Sequence, residues 1–188
     1  MAVDALRADV DELEAETVVV ATDGYPSGLL GELEGLIIPT RGQMIATEPV
    51  PERLFPMPHY GRHGFDYWHQ DPDGRILAGG FRDFDLDSEF TDSEETTPRI
   101  QGALEDFIEA LLGRRPRVTH RWAGVFGLVP DLMPVVGRIP RRDGVWVAGG
   151  YSGHGNVLGL ACGELVAGAI AGDPHRLLEL FDPARLVS

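Results

Sequence analysis

The chain has 188 residues, 43% of them hydrophobic, enough for one core-forming domain or a domain with part of another. Its net charge is −14 and all 16 basic residues are arginine, so it offers little to neutralise a phosphate backbone, and nucleic acid is not an expected partner. A single cysteine, Cys162, excludes an intrachain disulfide framework, and no apolar run reaches membrane-spanning length.

Ala2 to Glu16 is acidic with scattered apolar residues, and fits a helix or one hairpin. It lacks the apolar centre of a signal peptide, so a soluble cytoplasmic protein is expected. Thr17 to Thr22 is a β-branched run that reads as a buried strand, ended by a turn at Asp23-Gly24. Residues 26–35 read as a loop or short helix. Leu36 to Glu48 reads as a long strand with a break near Pro39–Gly42.

Residues 49–64 hold four prolines and read as a surface loop. His59 and His63 are four apart, a metal-ligand spacing on a helix, but the proline and glycine content forbids a helix there. Phe65–Gln70 and Arg75–Arg82 flank Asp71-Pro72-Asp73-Gly74 and form a predicted hairpin.

Thr97-Pro98 marks a helix start, with threonine as N-cap and proline at the first helical position. Ile100, Leu104, Phe107, Ile108, Leu111 and Leu112 give that helix one apolar face, and Gly113 ends it. Arg117–Phe126 alternates as a strand, with Val118, His120 and Trp122 on one face and Thr119, Arg121 and Ala123 on the other.

The most informative stretch is 144–172. Val145–Ala148 reads as a buried strand, and residues 149–155 then place four glycines in seven positions. Asn156–Ala171 is apolar nearly all round, which predicts a buried helix, with Gly159, Gly163 and Gly168 allowing close backbone packing. The turn would present free amides at a helix N-terminus, where partial positive charge collects. Gly153-His154-Gly155 followed by Gly159 spells GxGxxxG, but no second strand follows to complete a dinucleotide-binding βαβ unit. The alternative is a turn that holds an electron-rich ring edge gaining negative charge.

GGYSGHGN with its apolar helix resembles the C-terminal flavin-contacting motif of the FAD-dependent D-amino-acid oxidase-like family, in its glycine/sarcosine oxidase and γ-glutamylputrescine oxidase branch. Other segments match in order: TVVVATDGY from Thr17, PTRGQMIATE from Pro39, DGRILAGGFR from Asp73 and RWAGVFGLVPDLMPVVG from Arg121. The family's GxGxxG unit, which binds the ADP half of FAD, lies about 200 residues before a stretch like TVVVATDGY, and has no counterpart here. The chain therefore looks like the C-terminal half of such an enzyme.

The resemblance implies an α+β fold with a mixed, largely antiparallel sheet as substrate domain, beside a strand–glycine turn–helix remnant of the FAD-binding domain. The expected division is 1–35, 36–126 and 127–188. It implies FAD contacts from Ala21, Thr22, Gly150, Tyr151, Ser152, Gly153, His154, Gly155 and Asn156, with Tyr67, Trp68 and Trp122 as substrate-pocket candidates. It implies oxidation of a small amine or amino acid, with a separate FAD-binding chain as a candidate partner. No catalytic residue and no metal is assigned. Arg41 and Arg121 could grip a carboxylate, although structural ion pairs suit them better. Sarcosine-oxidase-like relatives carry a lysine just after the GHG turn. Val157 stands there in this chain, which favours a substrate whose carboxylate is absent or distant.

Overall fold

A computed structural model describes residues 14–25 and 28–186, so the expectation for residues 2–13 lies outside the described residues. The elements are β1 (Val18–Val20), β2 (Ile38–Pro49), β3 (His59–Gly61), β4 (Asp66–Gln70), β5 (Arg75–Gly80), α1 (Leu86–Glu89), α2 (Pro98–Leu112), β6 (Val118–Leu128), β7 (Val135–Arg138), β8 (Val145–Gly149), α3 (Gly155–Ile170) and α4 (Leu178–Phe181). They divide into two compact units, residues 40–125 and the remainder. The class is α+β, as the sequence implied.

The 40–125 unit is built on a five-stranded sheet in the order β3-β4-β5-β2-β6. The pairs β3–β4, β4–β5 and β5–β2 are antiparallel. The predicted hairpin is β4–β5: the Asp71 carboxylate accepts the Arg75 amide at 2.8 Å and closes the turn. β2 runs unbroken through Pro39–Gly42, contrary to expectation. Its pairing with β5 begins only at Met44, so the missing Pro39 amide costs no bond to β5, and the irregularity falls between Ala46 and Pro49 instead.

α2 covers one face of this sheet. Ile100, Leu104 and Ile108 pack with Ile45, Ile76, Ala78 and Phe81. Gly113 ends the helix at φ 67°, a conformation a side chain would strain. Thr97 occupies the N-cap position, but its hydroxyl caps nothing. It accepts instead from Gln43 Nε2 at 2.9 Å, part of a buried network in which Gln43 and Arg41 both hold Glu89.

The other unit holds a three-stranded sheet, β1-β8-β7, with β1 parallel and β7 antiparallel to β8. Val20, Val145 and Val147 turn one face toward Leu30, Leu33, Ile37, Val129 and Ile139. On the other face Val136, Trp146 and Ala148 pack under Cys162 and Val166 of α3.

The sequence predicts a buried α3; the structure buries only that one side. Val157 is 74% and Leu160 77% exposed. Gly159 and Gly163 have no neighbour within 4 Å of a would-be Cβ, and only Gly168 meets backbone, Asp173 O at 3.1 Å. The apolar pattern runs round the whole helix, but the sheet supplies a partner for one flank.

Candidate functional site

The glycine turn is held by a residue the motif reading passed over. Three residues beyond β1 lies Asp23, whose carboxylate accepts the amides of Gly150 at 2.9 Å, Tyr151 at 3.2 Å and Gly127 at 3.1 Å. One side chain thus ties the ends of β1, β6 and β8 together. Gly150 sits at φ 67°, and a Cβ there would meet Val129 Cγ2 at 2.6 Å, so only glycine fits. The Ser152 amide donates to Gly127 O at 2.8 Å, and the Ser152 hydroxyl accepts from Val129 N at 3.2 Å. Asp23 read locally as a turn residue. Its partners lie 104 to 128 residues away, a distance at which spacing carries no signal.

This locking divides the predicted flavin donors into two sets. The amides of Gly150, Tyr151, Ser152 and His154 are engaged by the protein, the last with Tyr151 O at 2.9 Å. The amides of Gly153, Gly155 and Asn156 have no acceptor among the described residues. They lie at the N-terminus of the 16-residue α3, where partial positive charge favours an electron-rich group. The exposed His154 ring only reaches Ser152 O, at 3.2 Å. Thr22 contributes a second feature: its hydroxyl is buried without a hydrogen-bond partner. Ala21 beside it is exposed. The phenol of Tyr151 is pushed up to about 12, mainly by burial.

A ring edge carrying acceptors and a carbonyl fits this donor set, because an orphaned hydroxyl and three unengaged amides are groups that a hydrogen-bonding ligand would satisfy. The ADP half of FAD finds no such fit, since GxGxxG occurs nowhere in the sequence.

Two of the three substrate-pocket candidates, Tyr67 and Trp68, lie on opposite faces of the sheet. Tyr67 pairs across the sheet with Gly79, and a Cβ on Gly79 would meet Met44 Sδ and the Tyr67 ring, so these residues share the face away from α2. Trp68, next in the strand, points the other way. It stacks on His59 at 5.0 Å, meets Phe107 of α2 edge-on at 5.1 Å and belongs to the core. Burial on the helix side therefore removes Trp68 from any pocket shared with Tyr67. Trp122 lies on the edge strand β6 and is 39% exposed.

Both candidate arginines are committed within the protein. Arg41 is buried against Glu89, and Arg121 donates to Gln101 at 2.9 Å and Glu105 at 2.5 Å. A cavity of about 360 Å³ opens beside Pro98, Gln101 and Glu105, but Arg121, the cation on its wall, is already paired. Among the described residues no cluster of histidine, cysteine and carboxylates could hold a metal. No helix among them is long and apolar enough to cross a membrane.

Residues 2–169 match the family described as FAD dependent oxidoreductase. The chain belongs to that family. Among curated relatives, a glycine oxidase of Pseudomonas aeruginosa is 28% identical over 182 residues, which is 92% of this chain and 45% of that protein. A glycine oxidase structure from Geobacillus kaustophilus superposes with a TM-score of 0.74 at 21% identity, covering 94% of this chain and 47% of that one. Amadoriase I from Aspergillus fumigatus gives 0.76 at 16% identity, covering 98% and 47%. At these identities the two structures report a shared fold. The chain spans less than half the length of these proteins.

Proposed function

We propose that this chain forms the ring-facing and substrate-facing part of an FAD-dependent oxidoreductase that takes an amine or amino acid from CH–NH to the imine. The observation that carries the reading is the donor set at the glycine turn: three unengaged amides at the start of α3, on a backbone clamped by Asp23. FAD, when bound, supplies the acceptor for the substrate hydride.

The protein's own part is electrostatic and steric. Amides fixed by Asp23 need no reorganisation as negative charge develops opposite them, which is how a preformed donor set stabilises an oxyanion. Thr22 adds a hydroxyl that can donate or accept. Tyr67 and Trp122 are the substrate-side candidates, acting as apolar walls that exclude water. Val157 offers no cation to a substrate carboxylate, so an amine whose carboxylate is absent or remote suits this chain better than a short amino acid. In this reading residues 1–35 and 127–188 serve the cofactor and 36–126 the substrate.

A second reading has a specific observation behind it. The apolar side of α3 left open at Val157 and Leu160 suits a subunit that works only with a separate FAD-binding chain.

The test is flavin itself. Protein purified with excess FAD is expected to retain flavin that denaturation releases, and Gly155→Pro, which removes one unengaged amide at the first position of α3, where proline is accepted, to weaken retention roughly tenfold. Flavin retention unchanged by that substitution, and by Thr22→Val, would refute the assignment of these donors.

A further inference from the structure

We propose that Arg82, with the hydroxyls of Tyr60 and Tyr67, forms a carboxylate-binding site at the rim of the five-stranded sheet, and that this site selects an amine substrate bearing a carboxylate. The inference rests on the amine-oxidising reading and names its substrate class.

Tyr60 on β3 and Tyr67 on β4 stand directly opposite each other, so both side chains leave the same face of the sheet. It is the face away from α2, because the next residue, Trp68, packs on Phe107. Tyr60 is 64% exposed, and its hydroxyl lies against Gly64, where a Cβ would overlap the oxygen. The carbonyl of the same Gly64 accepts from Arg82 Nη1 at 3.2 Å, and the guanidinium carbon lies 4.5 Å from the centre of the Phe65 ring. A backbone carbonyl and a ring face thus hold Arg82 beside Tyr60.

The Tyr67 phenol completes the group. Burial pushes it up, the Arg82 charge pulls it back, and Tyr60 adds to the rise. Among the described residues this phenol has no hydrogen-bond partner. A guanidinium offers a planar fork of N–H donors and each phenol one O–H, a set that matches a carboxylate.

The backbone around the three is strained. Arg62, His63 and Phe81 have φ of 41°, 56° and 62°, in the region that side chains resist. The two turns that carry them are tied by Phe81 N, which donates to Phe65 O at 2.6 Å. Strain of this kind persists where surrounding structure enforces it, and it gathers at ligand clamps. Arg62 itself is spent on Asp66 at 2.7 Å and Asp83 at 2.6 Å, which neutralises both carboxylates next to the site.

Other cations do not serve this purpose. Arg41 is buried on Glu89, Arg121 is paired with Glu105, and Val157 at the start of α3 carries no charge. An amine whose carboxylate is absent or remote suits Val157, and Arg82 decides between the two by supplying a receptor.

The probes are glutarate, a dicarboxylate, and its neutral diamide, glutaramide, added at constant ionic strength to the isotope-labelled chain. Glutarate is expected to shift the Arg82 Nε–H resonance saturably and to bind roughly tenfold more tightly than glutaramide, the effect of one hydrogen bond to a charged group. Arg82→Met and Tyr67→Phe should each weaken glutarate roughly tenfold. The thermal melt of Tyr67→Phe should match the parent, because the phenol has no partner in the protein to lose.

Equal binding of the two probes, or glutarate binding unchanged in either variant, would overturn the proposal. Flavin retention by the same samples separates the site from the reading beneath it. Arg82-dependent glutarate binding to protein that holds no flavin upholds the site and sinks the amine-oxidising reading. Flavin retention without glutarate binding does the reverse.

Discussion

The Asp23 carboxylate accepts the Gly150 amide at 2.9 Å across 127 positions of sequence. Removing it strands three backbone donors at once, because Gly127 and Tyr151 share the same acceptor. Asp23→Ala is expected to destabilise the protein by roughly 2–4 kcal/mol, since a hydrogen bond to a charged group contributes about 1.5–3 kcal/mol and water replaces part of the loss. Urea unfolding would measure it. A change under 1 kcal/mol would mean that the turn holds its shape without the clamp.

Glu89 is fully buried, and both Arg41 and Gln43 bond to its carboxylate. Glu89→Ala leaves a buried guanidinium without its counter-charge, at a cost of about 3–5 kcal/mol. The double change Arg41→Met/Glu89→Leu removes both charges and should recover most of that loss. Denaturant midpoints of the three proteins would separate a charge penalty from simple loss of packing.

Gly102 lies inside α2 with no atom within 4 Å of a would-be Cβ. Alanine there meets no clash and has the higher helix propensity. Gly102→Ala should stabilise by about 0.5–1 kcal/mol. A fall in melting temperature would contradict the open space seen at this position.

Tyr151 gives a pH-dependent signature. Burial raises its phenol to about 12, so the folded protein favours the neutral form. Its contribution to stability is whole below the unfolded phenol value of about 10 and is lost as pH rises through about 12. Burial raises the Tyr67 phenol as well, so ultraviolet titration in a Tyr67→Phe background should show a late ionisation near 12 that Tyr151→Phe abolishes. Its persistence in that variant would move the assignment elsewhere.

Much of this architecture could be read along the chain. The β4–β5 hairpin was legible because Asp71-Pro72-Asp73-Gly74 sets a turn locally. α2 was legible because Ile100, Leu104 and Ile108 repeat at helical spacing and Gly113 stops them. The glycine turn and its helix were legible because 145–171 passes from β-branched residues through glycines to an apolar helix. Each of these depends on neighbours in sequence.

What tertiary structure alone decided is where side chains meet across long separations. It sent Trp68 into the core and Tyr67 to the opposite face, because adjacent strand residues diverge and α2 covers only one side. It committed Arg41 and Arg121 to internal carboxylates. It divided the turn's amides into those held by Asp23 and carbonyls and those left open at the start of α3. It left Val157 and Leu160 in water, because an apolar helix is buried only as far as its neighbours reach, and that reach is set by packing between elements distant in the chain.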